Sequence, residues 1–208
     1  SNAVAAYVCN FLGPAADTQF EVDKAINNAV NGRNLVACVA MDHTVTPGVN
    51  GGRPFTRFLI FFPNGRLLPS INLDGEGEKF VPGSCVACHG GDHYAGSFPT
   101  TGTPSPDIGA HFLPYDTGNF SFSTNVGLSE AEQESAIHQL NINVLDAGPT
   151  PAVSELIAGW YQGGTGILDK NYVPPSYTGK STNAIAFYKE FYAPSCRTCH
   201  VAMSEPGN

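Results

Sequence analysis

Cys196-Arg197-Thr198-Cys199-His200 stands eight residues from the end of the chain and repeats in kind an earlier Cys85-Val86-Ala87-Cys88-His89. The pattern C-x-x-C-H is the attachment signature of c-type haem. Its spacing follows from the chemistry: two thiols add to the two vinyl groups of one porphyrin, and the adjacent imidazole reaches the iron. A thioredoxin-like pair needs the two cysteines but has no use for the histidine, and a zinc site would combine such pairs with each other or with a separated pair of histidines. Two motifs in a 208-residue chain with six cysteines point to two haem c groups. Cys85, Cys88, Cys196 and Cys199 are then the thioether positions, with His89 and His200 as the proximal iron ligands. A pair of zinc or redox sites is the competing reading.

The rest of the composition suits this. Ten basic against 18 acidic residues leave a formal charge of −8, the reverse of the basic stripe of a nucleic-acid binder. Haem propionates would make the surface more acidic still, so redox partners with basic docking surfaces and salt-sensitive encounter are expected. The 23 glycines and 16 prolines imply a loop-rich chain that leans on something besides regular secondary structure. Covalent haems would serve, each a large apolar plate to fold around.

Cys9 and Cys38 remain outside the motifs. Either they are buried thiols or they form a disulfide; the bridge is expected, because haem attachment goes with an oxidising compartment. No run approaches the roughly 18 apolar residues of a membrane span. Ser1-Asn2-Ala3 reads as the scar of a cleaved tag, set aside from the fold. A periplasmic or extracellular location is expected, with the export signal or anchor trimmed away.

Along the chain, 18–30 reads as a helix opened by a Thr18/Glu21 capping box and stopped at Gly32. Residues 34–43 read as a strand with Leu35, Ala37, Val39, Met41 and His43 on one face. A second strand over 55–62 turns at Asn64-Gly65 and returns over 67–73. Residues 72–77 loosely match the start of a calcium loop, but Gly83 stands where a glutamate is needed, so a hydrophilic turn is expected. After the first motif, 90–127 is a long Gly/Pro-rich segment, expected to wrap on a ligand. Further helices are expected over 129–146, 151–162 (ending at Gly163-Gly164) and 181–192, the last broken by Pro194. The fold class predicted is mainly α with a small antiparallel β-hairpin or sheet in the N-terminal part. Residues 4–80 would be continuous with a haem-binding region over 81–208.

The motifs resemble those of c-type cytochromes, and Cys85 to Gly90 (CVACHG) resembles the start of a small class-I cytochrome domain. The resemblance covers the two motifs and their flanks, and implies a loop-rich dihaem cytochrome c. In tandem class-I proteins a distal methionine follows each motif by some tens of residues. Here only eight residues follow His200, so a distal ligand for that haem must come from elsewhere. The candidates are Met41, Met203, His43, His93, His111 and His138. His93 and Met203 stand too near their own proximal histidines to serve the same haem. Met41 and His111 rank first.

Electron transfer is the function implied, with a dihaem, peroxidase-like redox enzyme having one open-site haem as the alternative. A haem-based sensor module is a third reading. No H-E-x-x-H, G-x-S-x-G or complete dinucleotide fingerprint competes.

Overall fold

Strand β2 (Leu35–Val45) is the centre of the N-terminal half. In a computed structural model that describes residues 3–72, 76–92, 107–162 and 166–203, it lies between β1 (Val4–Phe11) and β3 (Pro54–Phe61), both antiparallel to it. β4 (Leu67–Leu68) completes a sheet of order β1-β2-β3-β4. The period of two places Val39 opposite Ile60 and Met41 opposite Phe58, on the face turned to the core. On the other face Asp42 stands opposite Arg57, which grips both carboxylate oxygens at 2.7 Å.

The return strand expected over 67–73 is divided. β4 stops at Leu68, and Ser70–Ile71 (β5) pairs with Lys79–Phe80 (β6) in a separate two-stranded sheet. Pro69 stands at the division; it has no N–H to give a ladder, and its carbonyl accepts from Val81 at 3.1 Å.

The expectation of a mainly helical fold is corrected: the described residues are about 40% helix and 18% strand, a mixed α and β fold. The missing part was β1. VAAYVCNF carries alanines and an asparagine with only two β-branched residues. Pairing with β2 from Val4 opposite His43 to Phe11 opposite Leu35, rather than propensity, makes it a strand. Cys9 lies directly opposite Cys38 in this ladder, and the two are joined as a disulfide.

Helix α1 (Gln19–Val30) starts at Thr18, whose Oγ1 accepts from the Glu21 N–H. The Glu21 carboxylate engages Lys24 instead of closing the box. Asp23 ties α1 to the segment after the first motif, accepting from the Thr124 hydroxyl and N–H and from the Ser123 hydroxyl. Those bonds hold its carboxyl far below the usual carboxylate range.

α2 (Val86–His89) is the single turn of the first motif. α3 (Glu130–Asp146) has the full Ser129/Glu132 capping box, and α4 (Pro151–Trp160) is capped by Thr150 with proline in its first turn. α5 (Pro175–Thr178) was not anticipated. α6 (Thr182–Phe187) does not break at Pro194. It widens into a π turn over Tyr188–Tyr192 and resumes as α7 (Ala193–Ser195). The wider turn relieves the clash between a proline ring and the carbonyl four residues back. α8 (Arg197–His200) is the turn of the second motif.

Two apolar clusters result. The helical one gathers Val144, Val153, Leu156, Ile157 and Trp160, and the sheet one gathers Ala37, Phe58, Ile60 and Val81. Residues 107–116 run between them with Ile108, Ala110 and Phe112 buried, so this part of the long loop is a strap through the core. Met41 packs against both clusters. No described helix is long and apolar enough to cross a membrane. Outside the described residues lie Ser1-Asn2 of the tag scar, Leu73 to Gly75 of the calcium-like turn, His93 with the rest of 93–106, and Gly163-Gly164.

Candidate functional site

His89 is held by the strap. Its Nδ1 lies 2.9 Å from the carbonyl oxygen of His111, and the His111 N–H donates to the His89 carbonyl at 3.0 Å. An imidazole that gives its Nδ1 proton to a carbonyl keeps Nε2 unprotonated, the form and orientation an iron ligand needs. Burial drives its pKa below the ordinary histidine value, against the opposing pull of that carbonyl, so the ring is neutral. Phe58 from β3 meets it edge-on, centroids 5.0 Å apart.

His89 lines a cavity of about 330 Å³ whose wall includes Val39 and Met41 from the sheet, Phe112 and Tyr115 from the strap, and Thr198 from the second motif. That volume is at the lower end of small-molecule sites, which run from about 300 to 1,000 Å³.

The second motif is anchored by its own variable residue. Arg197 is buried and forms two bonds to Asp116, Nε to Oδ2 at 2.8 Å and Nη2 to Oδ1 at 2.7 Å. Its Nη1 donates to the Tyr188 hydroxyl at 2.9 Å, and its guanidinium lies 5.1 Å from the Trp160 ring centroid. Burial opposes its charge, but Asp116 and Tyr188 outweigh it and raise the pKa further. Thr198 accepts from Asn119 at 2.6 Å, and the Thr150 hydroxyl donates to the Val201 carbonyl. His200 is exposed, its ring 6.2 Å from that of Tyr192.

All four motif cysteines are free thiols. Burial pushes Cys85 up in pKa, and burial followed by the neighbouring Cys199 and Cys85 does the same to Cys88. A dithiol built for thiol–disulfide exchange has the opposite tuning, a depressed pKa. Among the described residues no three His, Cys, Asp or Glu side chains gather as a metal site, so the cysteines do not converge as a zinc cage would require. Two free thiols, a neutral imidazole held through Nδ1 and a mostly apolar cavity carrying a thioether suit a haem at the first motif. At the second the donor set is the same, with an exposed histidine.

The other candidates scatter. Met41 shares the cavity with His89. Burial lowers the pKa of the His111 ring, with the Gly148 backbone opposing, and it is His111's main chain that serves His89. His43 pairs with Thr56 Oγ1 at 3.3 Å, His138 lies against Tyr161 with centroids 4.1 Å apart, and Met203 is exposed. Sequence reasoning missed Asp116, Asn119 and Tyr188. Asp116 and Asn119 stand about 80 residues from their partners in the motif, and no local pattern marks them. No family model, curated protein or solved structure matches this chain.

Proposed function

We propose that this chain is an exported electron-transfer protein carrying two covalently attached haem c groups. The observation that carries the reading is His89, a half-buried neutral imidazole in a C-x-x-C-H turn, pinned through Nδ1 by the His111 carbonyl at the edge of a mostly apolar cavity. Bound haem supplies one-electron iron chemistry. The chain's share is to hold and tune it. Cys85 and Cys88, and Cys196 and Cys199, give the thioethers; His89 and His200 give the proximal nitrogens. The cavity gives the His89 side a mostly apolar wall, and Met41 is the distal candidate that lines it, one that favours a high potential. The Arg197–Asp116 pair holds the second turn in shape. The disulfide between Cys9 and Cys38 suits an oxidising compartment, and the charge of −8 suits basic redox partners.

The scatter of the distal candidates, with Met41 lining the cavity beside His89 while His43 and His138 are engaged by Thr56 and Tyr161, favours a second reading, a dihaem redox enzyme whose second iron is open to small molecules. Carbon monoxide binding to one haem of the reduced protein would support it.

The test is a pyridine haemochrome assay on protein produced in the periplasm. Two haems per chain are expected. A folded product with none overturns the proposal.

A further inference from the structure

β1 is an edge of the four-stranded sheet, and its ladder shows which of its main-chain groups face outward. Cys9 and Cys38 stand directly opposite each other with Cα atoms 4.0 Å apart. In an antiparallel pair, opposed residues that exchange hydrogen bonds lie about 5.5 Å apart and those that do not lie about 4.5 Å apart. Cys9 therefore exchanges none with Cys38, and its N–H and C=O point away from β2. Further along, the Leu12 N–H reaches the Asn34 carbonyl at 3.1 Å, which gives the same alternation. Even-numbered residues bond to β2, while Ala5, Tyr7 and Cys9 turn their main-chain groups to the open side. Among the described residues no hydrogen bond meets them there.

Sheet edges are ordinarily blunted by shortness, proline or charge. The β4 edge is: it is two residues long and Pro69 follows it. β1 runs for eight residues with neither proline nor charge, and its Tyr7 is 77% exposed. No charged side chain occurs anywhere over residues 1–16. Asp42, opposite Ala5 on β2, is already neutralised by Arg57. A molecule of net charge −8 can thus bring this strip against its own copy without setting like charges face to face.

We infer that β1 is a dimerisation edge whose partner is the same strand of a second copy, antiparallel about a two-fold axis at Tyr7. That register uses every outward group. Tyr7 stands opposite the partner's Tyr7, Ala5 opposite the partner's Cys9 and Cys9 opposite the partner's Ala5, each pair exchanging two N–H···O=C bonds. The two four-stranded sheets become one continuous sheet. The tyrosine rings, directly opposed on one face, add a cross-strand aromatic contact. Ala6, Tyr7, Val8 and Asn10 also line the cavity beside His89, so the joint runs along that cavity's β1 wall. This interface goes beyond the electron-transfer reading and involves no residue of either motif.

Sedimentation equilibrium is expected to show a dimer that dissociates on dilution. Amide hydrogen exchange followed by NMR is expected to find Ala5, Tyr7 and Cys9 slow in the dimer and fast in the diluted monomer. Ala6, Val8 and Asn10, bonded to β2, should stay slow in both. Tyr7→Lys sets two ammonium groups opposite each other at the axis and is expected to give a folded monomer with an unchanged far-ultraviolet spectrum. A wild-type protein that is monomeric at every concentration overturns the inference. So does a dimer in which exchange at Ala5, Tyr7 and Cys9 is as fast as in the monomer, because the contact then lies elsewhere. Protection of those amides in a monomer gives the edge to another segment of the same chain, and overturns it equally. Should Tyr7→Lys fail to fold, the dilution series on the wild-type protein decides alone.

Discussion

The Asp116 carboxylate clasps the Arg197 guanidinium at two points, 2.7 and 2.8 Å, with both side chains almost wholly removed from solvent. A residue from the strap is thereby locked to a residue inside the second motif. Removing one partner of such a pair leaves the other charge buried and uncompensated, at a cost of about 3–5 kcal/mol. Asp116→Ala and Arg197→Ala should each fall in that range by denaturant unfolding. The double variant should cost clearly less than their sum. Strict additivity would mean that the pair is not coupled.

Gly90 should resist replacement by any residue with a side chain. Its φ of 68° and ψ of −167° lie where other residues are strained by about 1–3 kcal/mol, and the Ala202 carbonyl leaves no room for a methyl group. Gly32→Ala is the control: φ is 65° but nothing lies within 4 Å, so only the backbone cost of about 1–2 kcal/mol applies. Thermal melts should rank Gly90→Ala well below Gly32→Ala.

Loss of the disulfide should weaken the fold without touching the motifs. A cross-link spanning 29 residues stabilises by about 3–4 kcal/mol in the chain-entropy model. Cys9→Ser/Cys38→Ser should lose roughly this much in urea unfolding while keeping its full haem content.

Met41→Leu separates packing from ligation. The swap conserves volume and should cost under about 1.5 kcal/mol, but it removes the thioether from the cavity lined by His89. One haem of the pair is expected to turn high-spin by electron paramagnetic resonance and to bind carbon monoxide. A low-spin spectrum unchanged from wild type would assign the distal position to another residue.

Acid should destabilise the protein through its half-buried histidines. Burial lowers the pKa of His43, and the nearby His111 lowers it further; burial also lowers that of His111, with Asp107 opposing in both cases. Above the ordinary value of 6.5 both rings are neutral, folded or unfolded. Below it the unfolded chain takes up protons that the folded one refuses, so stability falls as pH falls from 6.5 toward the depressed folded values. The urea midpoint should drop between pH 7.5 and 5.5, and His43→Gln should flatten that slope.

What the sequence determined by itself was local. The cysteine-histidine spacing defines both C-x-x-C-H turns within five residues each. Thr18, Ser129 and Thr150 cap the helices that follow them, because an N-cap acts on N–H groups two or three positions away. The alternation of β2 sets which side of Met41 meets the core. Tertiary structure alone decided β1, which is a strand because β2 and a cross-strand disulfide hold it there. It also decided the passage of the helix through Pro194, and the meeting of strap and motif in His111–His89 and Asp116–Arg197. These depend on groups far apart in sequence arriving together in a low-dielectric interior, where hydrogen bonds and charges must find partners. Short-range patterning carries no record of which distant partner that will be.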